Sequence, residues 1–127
     1  MSYKRHKFSY RKSASKLHRA VGNALRTHPI LRALRSYQEY PIPKTPFHID
    51  WFILDLKMAI ECHGEQHDGP VAFDGDKEKA KHAFEVQLKR DALKRRLCVE
   101  QGWQIIEIWY YDKLDTDSIA RKILASL

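Results

Sequence analysis

The apolar positions along the chain change their spacing several times, and each spacing predicts a different kind of element. Between residues 15 and 35, apolar side chains recur every three or four positions and basic side chains fill the other face, which predicts an amphipathic helix. Ser13 and Ser15 are the candidate N-caps of this helix. Pro29 predicts a break or a kink, so the stretch is also compatible with two helices joined by a turn.

Two short apolar runs follow in the middle of the chain. Residues 48–56 and 58–62 are both largely apolar and predict two strands joined by a tight turn at 55–57. Because they carry few polar residues, the strands are expected inside a sheet that is covered on both faces. The three prolines of 40–47 predict a loop or an edge connection, and the Gly-, Asp- and Lys-rich stretch 64–81 predicts a long loop.

The last third of the chain predicts a helix, a strand and a second helix. Residues 79–101 predict a helix that ends at Gly102, a residue suited to the left-handed position after a helix. Residues 103–111 are mostly β-branched and aromatic and predict a strand, and residues 115–126 predict the last helix. The expected fold class is therefore α/β, with a small mixed sheet flanked by helices on both faces.

The size and composition of the chain fit one compact domain. Its 127 residues are 43% hydrophobic, which is enough for a single core. Within this domain we expect a basic N-terminal arm and helix over 1–36 and an α/β core over 37–127. No apolar run approaches the ~20 residues of a membrane span, and no secretory signal is expected. The only two cysteines, Cys62 and Cys98, favour a reducing, cytoplasmic setting.

Positive charge is concentrated before residue 39. The formal net charge is +7, and no acid precedes Glu39. A one-signed block of this length favours nucleic acid as a partner, because basic residues release counterions from a polyanion. A solvated basic tail and an anionic membrane surface are the alternatives. The candidate DNA-binding residues are Lys4, Arg5, Lys7, Arg11, Lys12, Lys16 and Arg19.

Two acids interrupt the apolar runs of the central strands. Asp50 lies inside the first run, and Glu61 lies at the end of the second. A buried acid is costly unless it is paired or bound to a metal, and the predicted hairpin brings these two side by side. Two carboxylates with a backbone carbonyl suit Mg²⁺ or Mn²⁺. The alternative is that one or both acids pair with an arginine.

The segment AIECHGEQH, residues 59–67, adds two histidines and a cysteine. His63 and His67 have H-x₃-H spacing beside Cys62, but a structural zinc site needs a fourth ligand and no CxxC is present. A histidine near metal-held carboxylates is better suited to activate water or to protonate a leaving group. The remaining alternative is that both histidines are loop residues without a chemical task.

Together these stretches resemble the PD-(D/E)xK nuclease superfamily. HIDWFILDLKMAIECHGEQH, followed by FEVQLKRDALKRRLCVEQGWQIIEIWYYD, is similar in order and spacing to the very-short-patch-repair (Vsr) endonucleases and to Vsr-like phage and homing endonucleases. The resemblance covers residues 38–114. It implies a restriction-endonuclease-like core and an enzyme of the cytoplasm of a bacterial or phage-infected cell.

The resemblance implies a metal site on the two central strands. Asp50 resembles the metal-binding Asp of the family, and Glu61 matches the acid of the (D/E)xK element, whose lysine is replaced by His63. The carbonyl of Cys62 resembles a further ligand for Mg²⁺ or Mn²⁺. His67 resembles a histidine proposed in that branch to activate water.

It also implies supporting residues on the neighbouring loop and helix. Gln66 fits the GEQH motif of the phage-type relatives. Asp91 and Lys94 match charged positions of the helix that follows the two strands in the family. Gln87 shares a polar stripe with them at helical spacing. Where the family often has a glutamate on the first helix, the segment SASKLHRAV offers a lysine or a histidine.

The expected function is hydrolysis of DNA phosphodiester bonds by a metal-dependent endonuclease. Its catalytic residues would be Asp50, Glu61, His63, His67 and Lys94, of which the last would neutralise charge on the phosphate. Double-strand cutting by so small a domain would favour a homodimer. The alternatives are a catalytically inactive DNA-binding protein with the nuclease fold and a basic phage-type protein that binds another protein.

Overall fold

A computed structural model describes residues 4–5, 15–64 and 77–127. Within these ranges, four six-residue strands form a sheet, and a two-residue strand extends it at one edge. In chain order the strands are β1 (Lys4–Arg5), β2 (Ser36–Pro41), β3 (His48–Ile53), β4 (Met58–His63) and β5 (Gln104–Trp109). The helices of the described ranges are α1 (Lys16–Thr27), α2 (Lys77–Glu100) and α3 (Thr116–Leu124).

The strands lie side by side in chain order. β1 to β4 pair antiparallel, whereas β4 and β5 pair parallel, with α2 between them in the chain. A 3-10 turn, Leu54–Leu56, joins β3 to β4 and ends at Lys57, whose φ is 49°. The sheet is therefore mixed, and the predicted hairpin is confirmed.

Helices pack on both faces of the sheet, as predicted. α1 and α3 cover one face, where they enclose the larger apolar cluster around Trp51, Ile60 and Ile108. The C-terminal half of α2 covers the other face, where Cys98 packs against Phe52 and its neighbours. The α/β fold class is confirmed at this level, and no helix of the described ranges is long and apolar enough to cross a membrane.

The first helix is shorter than its apolar pattern predicted. The Ser15 side chain accepts a hydrogen bond from the backbone of His18 at 3.0 Å, so Ser15 is the N-cap. The helix ends at Thr27 because Pro29 cannot continue its hydrogen bonding. After the proline the chain forms only a 3-10 turn, Leu31–Ala33.

Strand β2 was not predicted, and its last two residues lie in the segment 40–47, which was predicted to be a loop or an edge connection. Tyr40 pairs with Ile49, and Pro41 pairs with His48. Among the described residues, β1 pairs with β2 only at Tyr37 and Gln38. At Pro41, β2 therefore has one described neighbour, β3. A proline is tolerated in a strand at such an edge position.

Helix α2 is long and lightly packed. It ends at Glu100, and Gly102 has a φ of 78°, which confirms the predicted glycine after the helix. Cys98 is its one buried side chain, whereas Val86 and Leu88 are exposed. The N-terminal half of the helix therefore does not pack closely against the sheet. This leaves a cleft between the helix and the ends of β3 and β4.

Candidate active site

The site begins where β3 and β4 stop pairing. The last pair of their ladder is Trp51 with Ile60, and one step further Asp50 and Glu61 face each other. There the side chain of Asp50 replaces a backbone partner, because its Oδ2 accepts a hydrogen bond from the amide of Cys62 at 2.8 Å. Residues that face each other in a ladder project to the same side of a sheet, which here is the side of α2.

A cleft of about 380 Å³ opens between these strand ends and α2. Six of the residues predicted from the sequence line it: Asp50, Glu61, Cys62, Gln87, Asp91 and Lys94. The remaining lining residues are Ala83, Val86 and Arg90. The helix positions recur every three or four residues, so one face of α2 forms one wall of the cleft.

Glu61 is a buried acid that its described neighbours compensate only in part. Its Oε2 lies 3.3 Å from Nζ of Lys94, but its buried Oε1 has no hydrogen-bond partner among the described residues. Burial, followed by the nearby carboxylate of Asp50, raises the pKa of Glu61 to about 8, although Lys94 opposes the shift. A buried carboxylate with a free oxygen and a second acid beside it is a favourable place for a cation.

The backbone of Cys62 adds an oxygen to this edge. Carbonyl groups alternate in direction along a strand, and the carbonyl of His63 accepts a hydrogen bond from Tyr110 of β5 at 2.9 Å. The carbonyl of Cys62 therefore points the other way, toward β3 and Asp50. Its thiol is a poor ligand by comparison, because burial and the two nearby acids, Asp50 and Glu61, raise the pKa of Cys62 well above its usual range.

These donors fit a hard divalent cation. Asp50 and Glu61 offer carboxylate oxygens, and Cys62 offers a carbonyl oxygen, which is the oxygen-only set that Mg²⁺ and Mn²⁺ accept. Within the described ranges, no three side chains of His, Cys, Asp or Glu gather into a metal-binding group. The backbone carbonyl would accordingly have to complete the protein's share of the ligands, with water supplying the rest.

His63 lies beside the cleft rather than in its lining. The side chain is 3% exposed, and its ring stacks on Trp109 with centroids 4.4 Å apart. Nε2 lies 3.5 Å from Oε1 of Glu107, which Arg95 holds at 2.7 Å. His63 lines a separate cavity of about 10 Å³, which shares Glu61 with the cleft. A space of this size holds about one water molecule.

Several predicted residues lie outside the described ranges. They are the site residues Gln66 and His67 and the arm residues Lys7, Arg11 and Lys12. Of Lys4 and Arg5 only the backbone is described, and it forms β1. Lys16 and Arg19 are exposed on α1, as a DNA-contacting surface requires.

The first helix brings no residue into the cleft. Its His18 is buried and stacks on Trp51 with ring centroids 4.7 Å apart. Trp51 belongs to the cluster on the opposite face of the sheet. Lys16 is exposed at the start of the helix, so neither residue takes the place of the glutamate that the family often carries there.

Sequence reasoning missed three charged residues near the site. Arg90 lines the cleft, and its spacing of three from Gln87 and four from Lys94 places it on the same helical stripe. No sequence pattern indicated that Glu107 or its partner Arg95 lies near the site. Glu107 is the register partner of Glu61 on β5, and a parallel register across a helical crossover cannot be read from local spacing.

Comparison with known proteins finds viral relatives. Protein 033L of Invertebrate iridescent virus 3 is 35% identical over 86 residues, which are 68% of this chain and 43% of the relative. Protein 307L of Invertebrate iridescent virus 6 is 39% identical over 62 residues, which are 49% of this chain and 30% of the relative. The chain thus spans less than half the length of these relatives, and both are described as uncharacterized.

Two further comparisons gave no match. No protein-family model matches the chain, and no solved structure matches it. The nuclease resemblance, the metal and the cytoplasmic location accordingly stay predictions, and the functional argument rests on the geometry of the cleft.

Proposed function

We propose that the protein is a divalent-metal-dependent endonuclease that hydrolyses DNA phosphodiester bonds on a restriction-endonuclease-like core. One observation carries the proposal. Asp50 and Glu61 face each other where β3 and β4 separate, and the Oε1 of Glu61, which has no hydrogen-bond partner among the described residues, is buried in a cleft. Two adjacent buried acids destabilise a fold unless a cation or a proton compensates them.

The residues of the two strand ends would hold the metal. Asp50 and Glu61 would bind Mg²⁺ or Mn²⁺ through their carboxylates, and Cys62 would bind it through its carbonyl. The bound ion would polarise the scissile phosphate and stabilise the leaving oxygen.

The basic residues of α2 would bind the phosphate. Lys94 and Arg90 lie one helical turn apart in the cleft lining, so both can approach one phosphate group. Lys94 also forms an ion pair with Glu61, so it would link the phosphate to the metal-binding residues. Fixed cations at a site of developing negative charge are worth several kcal/mol in such reactions, on the order of 3.

The two histidines would have different tasks. His63 is buried and held between Trp109 and Glu107, so it would orient a water beside Glu61 without touching the DNA. Activation of the attacking water remains assigned to His67, which lies outside the described residues.

Affinity for DNA would come from the basic surface. The net charge is +7, and Lys16 and Arg19 are exposed on α1. Such contacts supply binding energy with little sequence preference. A homodimer would provide the second site that double-strand cleavage requires.

An inactive DNA-binding protein with the same fold is the second candidate. The first turn of α1 holds no acid, and the described part of α1 packs on the face opposite the cleft. A protein of this kind would bind DNA and leave it intact with every divalent ion.

A plasmid nicking assay tests the proposal. Wild type should convert supercoiled plasmid to nicked or linear DNA with Mg²⁺ or Mn²⁺ and should not do so in EDTA. Asp50→Asn should lower the rate at least about 100-fold, because the lost metal contact is worth several kcal/mol. Asp117→Asn makes the same chemical change on exposed α3 and should leave the rate unchanged. Binding without cleavage would favour the inactive protein, and full activity of Asp50→Asn would contradict the metal site.

A further inference from the structure

Three aromatic residues follow one another beside the candidate active site. Trp109 ends β5, and Tyr110 and Tyr111 form the turn after it. The Trp109 and Tyr111 rings are stacked with centroids 5.8 Å apart and 15° between their planes. Tyr111 is 63% exposed and also meets the ring of Tyr110 in a T-shaped contact, with centroids 5.2 Å apart. A column of rings thus runs from buried His63 through Trp109 to the exposed Tyr111.

The backbone holds this column in place. The amide of Tyr110 donates to the carbonyl of His63 at 2.9 Å, which ties the turn to β4. The amide of Trp109 donates to Oδ2 of Asp112 at 2.8 Å, and Lys122 donates to the same oxygen at 2.9 Å. An exposed aromatic ring on a fixed turn loses little conformational freedom when it binds a flat partner.

The column lies next to the cleft. His63, at its buried end, shares the small cavity with Glu61, Asp91 and Lys94, and these three residues also line the main cleft. A strand whose phosphate lies beside Lys94 would therefore pass near the buried end of this column. The net charge of +7 favours a nucleic acid over a basic peptide as the partner of this surface.

We propose that Tyr111, backed by Trp109, is a stacking platform for one unpaired nucleobase of the DNA strand that enters the cleft. In a duplex both faces of each internal base are covered by neighbouring bases, so an exposed ring can stack only on a base that is unpaired or at an end. The substrate of the cleft is thus a DNA strand with single-stranded character. The inference takes the position of the DNA strand from the proposed function. It adds which kind of DNA the cleft accepts as its substrate.

Binding in EDTA tests the platform separately from cleavage. Anisotropy of a labelled single-stranded oligonucleotide gives the affinity, and 2-aminopurine within the strand reports stacking through quenching. Tyr111→Leu should weaken single-strand binding by about 5- to 150-fold, the range measured for loss of one base–aromatic contact. It should also relieve the quenching, whereas Tyr111→Phe keeps the ring and should match wild type. A covalently closed duplex minicircle, which has neither ends nor unpaired bases, should compete for both variants as it does for wild type.

The outcomes separate the platform from the nuclease. Equal single-strand affinity and quenching in wild type and Tyr111→Leu would overturn the platform, whether or not the protein nicks DNA. Ring-dependent stacking without nicking would support the platform and contradict the nuclease. Equal losses for single strand and duplex would overturn the preference for an unpaired base. Thermal unfolding of both variants checks that the fold is intact.

Discussion

Glu61 shows how one residue can favour chemistry at the expense of stability. It follows three apolar residues of β4, and it lies between Lys94 and Asp50 with one oxygen unpartnered among the described residues. An uncharged residue of the same shape would fit this position at lower cost. Residues kept in unfavourable surroundings are typical of functional sites, and this places Glu61 at the centre of the site.

Replacing this charge should stabilise the metal-free protein. Glu61→Gln keeps an oxygen for Lys94 but removes an acid whose pKa is raised to about 8 in the fold. Near neutral pH the folded protein then no longer has to protonate this group or bury its charge, so we expect a gain in unfolding free energy on the order of 1 kcal/mol. Urea unfolding in EDTA measures it, with Glu100→Gln at the exposed end of α2 as the control. A loss of stability in Glu61→Gln, with the control unchanged, would contradict the account of Glu61.

At the scale of elements, an exposed ion pair fixes the turn between β3 and β4. The carboxylate of Asp55 accepts a hydrogen bond from the backbone of Arg35 at 2.6 Å and from its guanidinium at 2.8 Å. The segment before β2 is thereby tied to the turn after β3. Hydrogen bonding from the Arg35 side chain and backbone holds the pKa of Asp55 below its usual value.

This contact should make a pH-dependent contribution to stability. Because the pKa of Asp55 is lower in the folded state, its contribution is complete above the unfolded-state value of about 3.9 and is lost as the pH falls through the folded-state value. Asp55→Asn should therefore be less stable than wild type near neutral pH, and the difference should shrink in acid. Urea unfolding of both proteins across acidic and neutral pH measures this. A difference that stays constant with pH would contradict the assignment.

The elements that local patterns specify were predictable, and those that depend on pairing were not. Strand β5, the hairpin and the glycine after α2 each have a local cause in side-chain type or backbone angle. Strand β2 lacks such a signal: its residues are polar and aromatic and run into a proline, so only pairing with β3 makes them a strand. The first helix was predicted too long because its apolar spacing continues past Pro29.

The same division applies to the site. Asp50 and Glu61 were expected together because a hairpin fixes which residues face each other, whereas Lys94 was predicted through the nuclease resemblance. The place of His63 beside Glu107 and Trp109 depends on the parallel pairing of β4 with β5, which no local spacing reveals. The proposal that His63 orients water, rather than activates it, rests on this placement.

At the scale of the whole molecule, the basic surface should determine how DNA binding depends on salt. Lys16→Gln and Arg19→Gln together should lower the slope of log affinity against log salt by about 1 for each charge removed. Anisotropy of a duplex oligonucleotide at several salt concentrations gives the slope. Lys57→Asn removes one charge at the opposite end of β4 from Glu61 and serves as the control. An unchanged slope in the double variant would exclude α1 from the DNA-binding surface.

The most direct test of the central claim is titration of the protein with Mn²⁺ by calorimetry, without DNA. The account predicts one ion per chain for wild type and for the surface variant Asp117→Asn, and loss of this binding in both Asp50→Asn and Glu61→Gln. Failure of folded wild type to bind Mn²⁺, or undiminished binding in both cleft variants, would contradict a cation shared by Asp50 and Glu61.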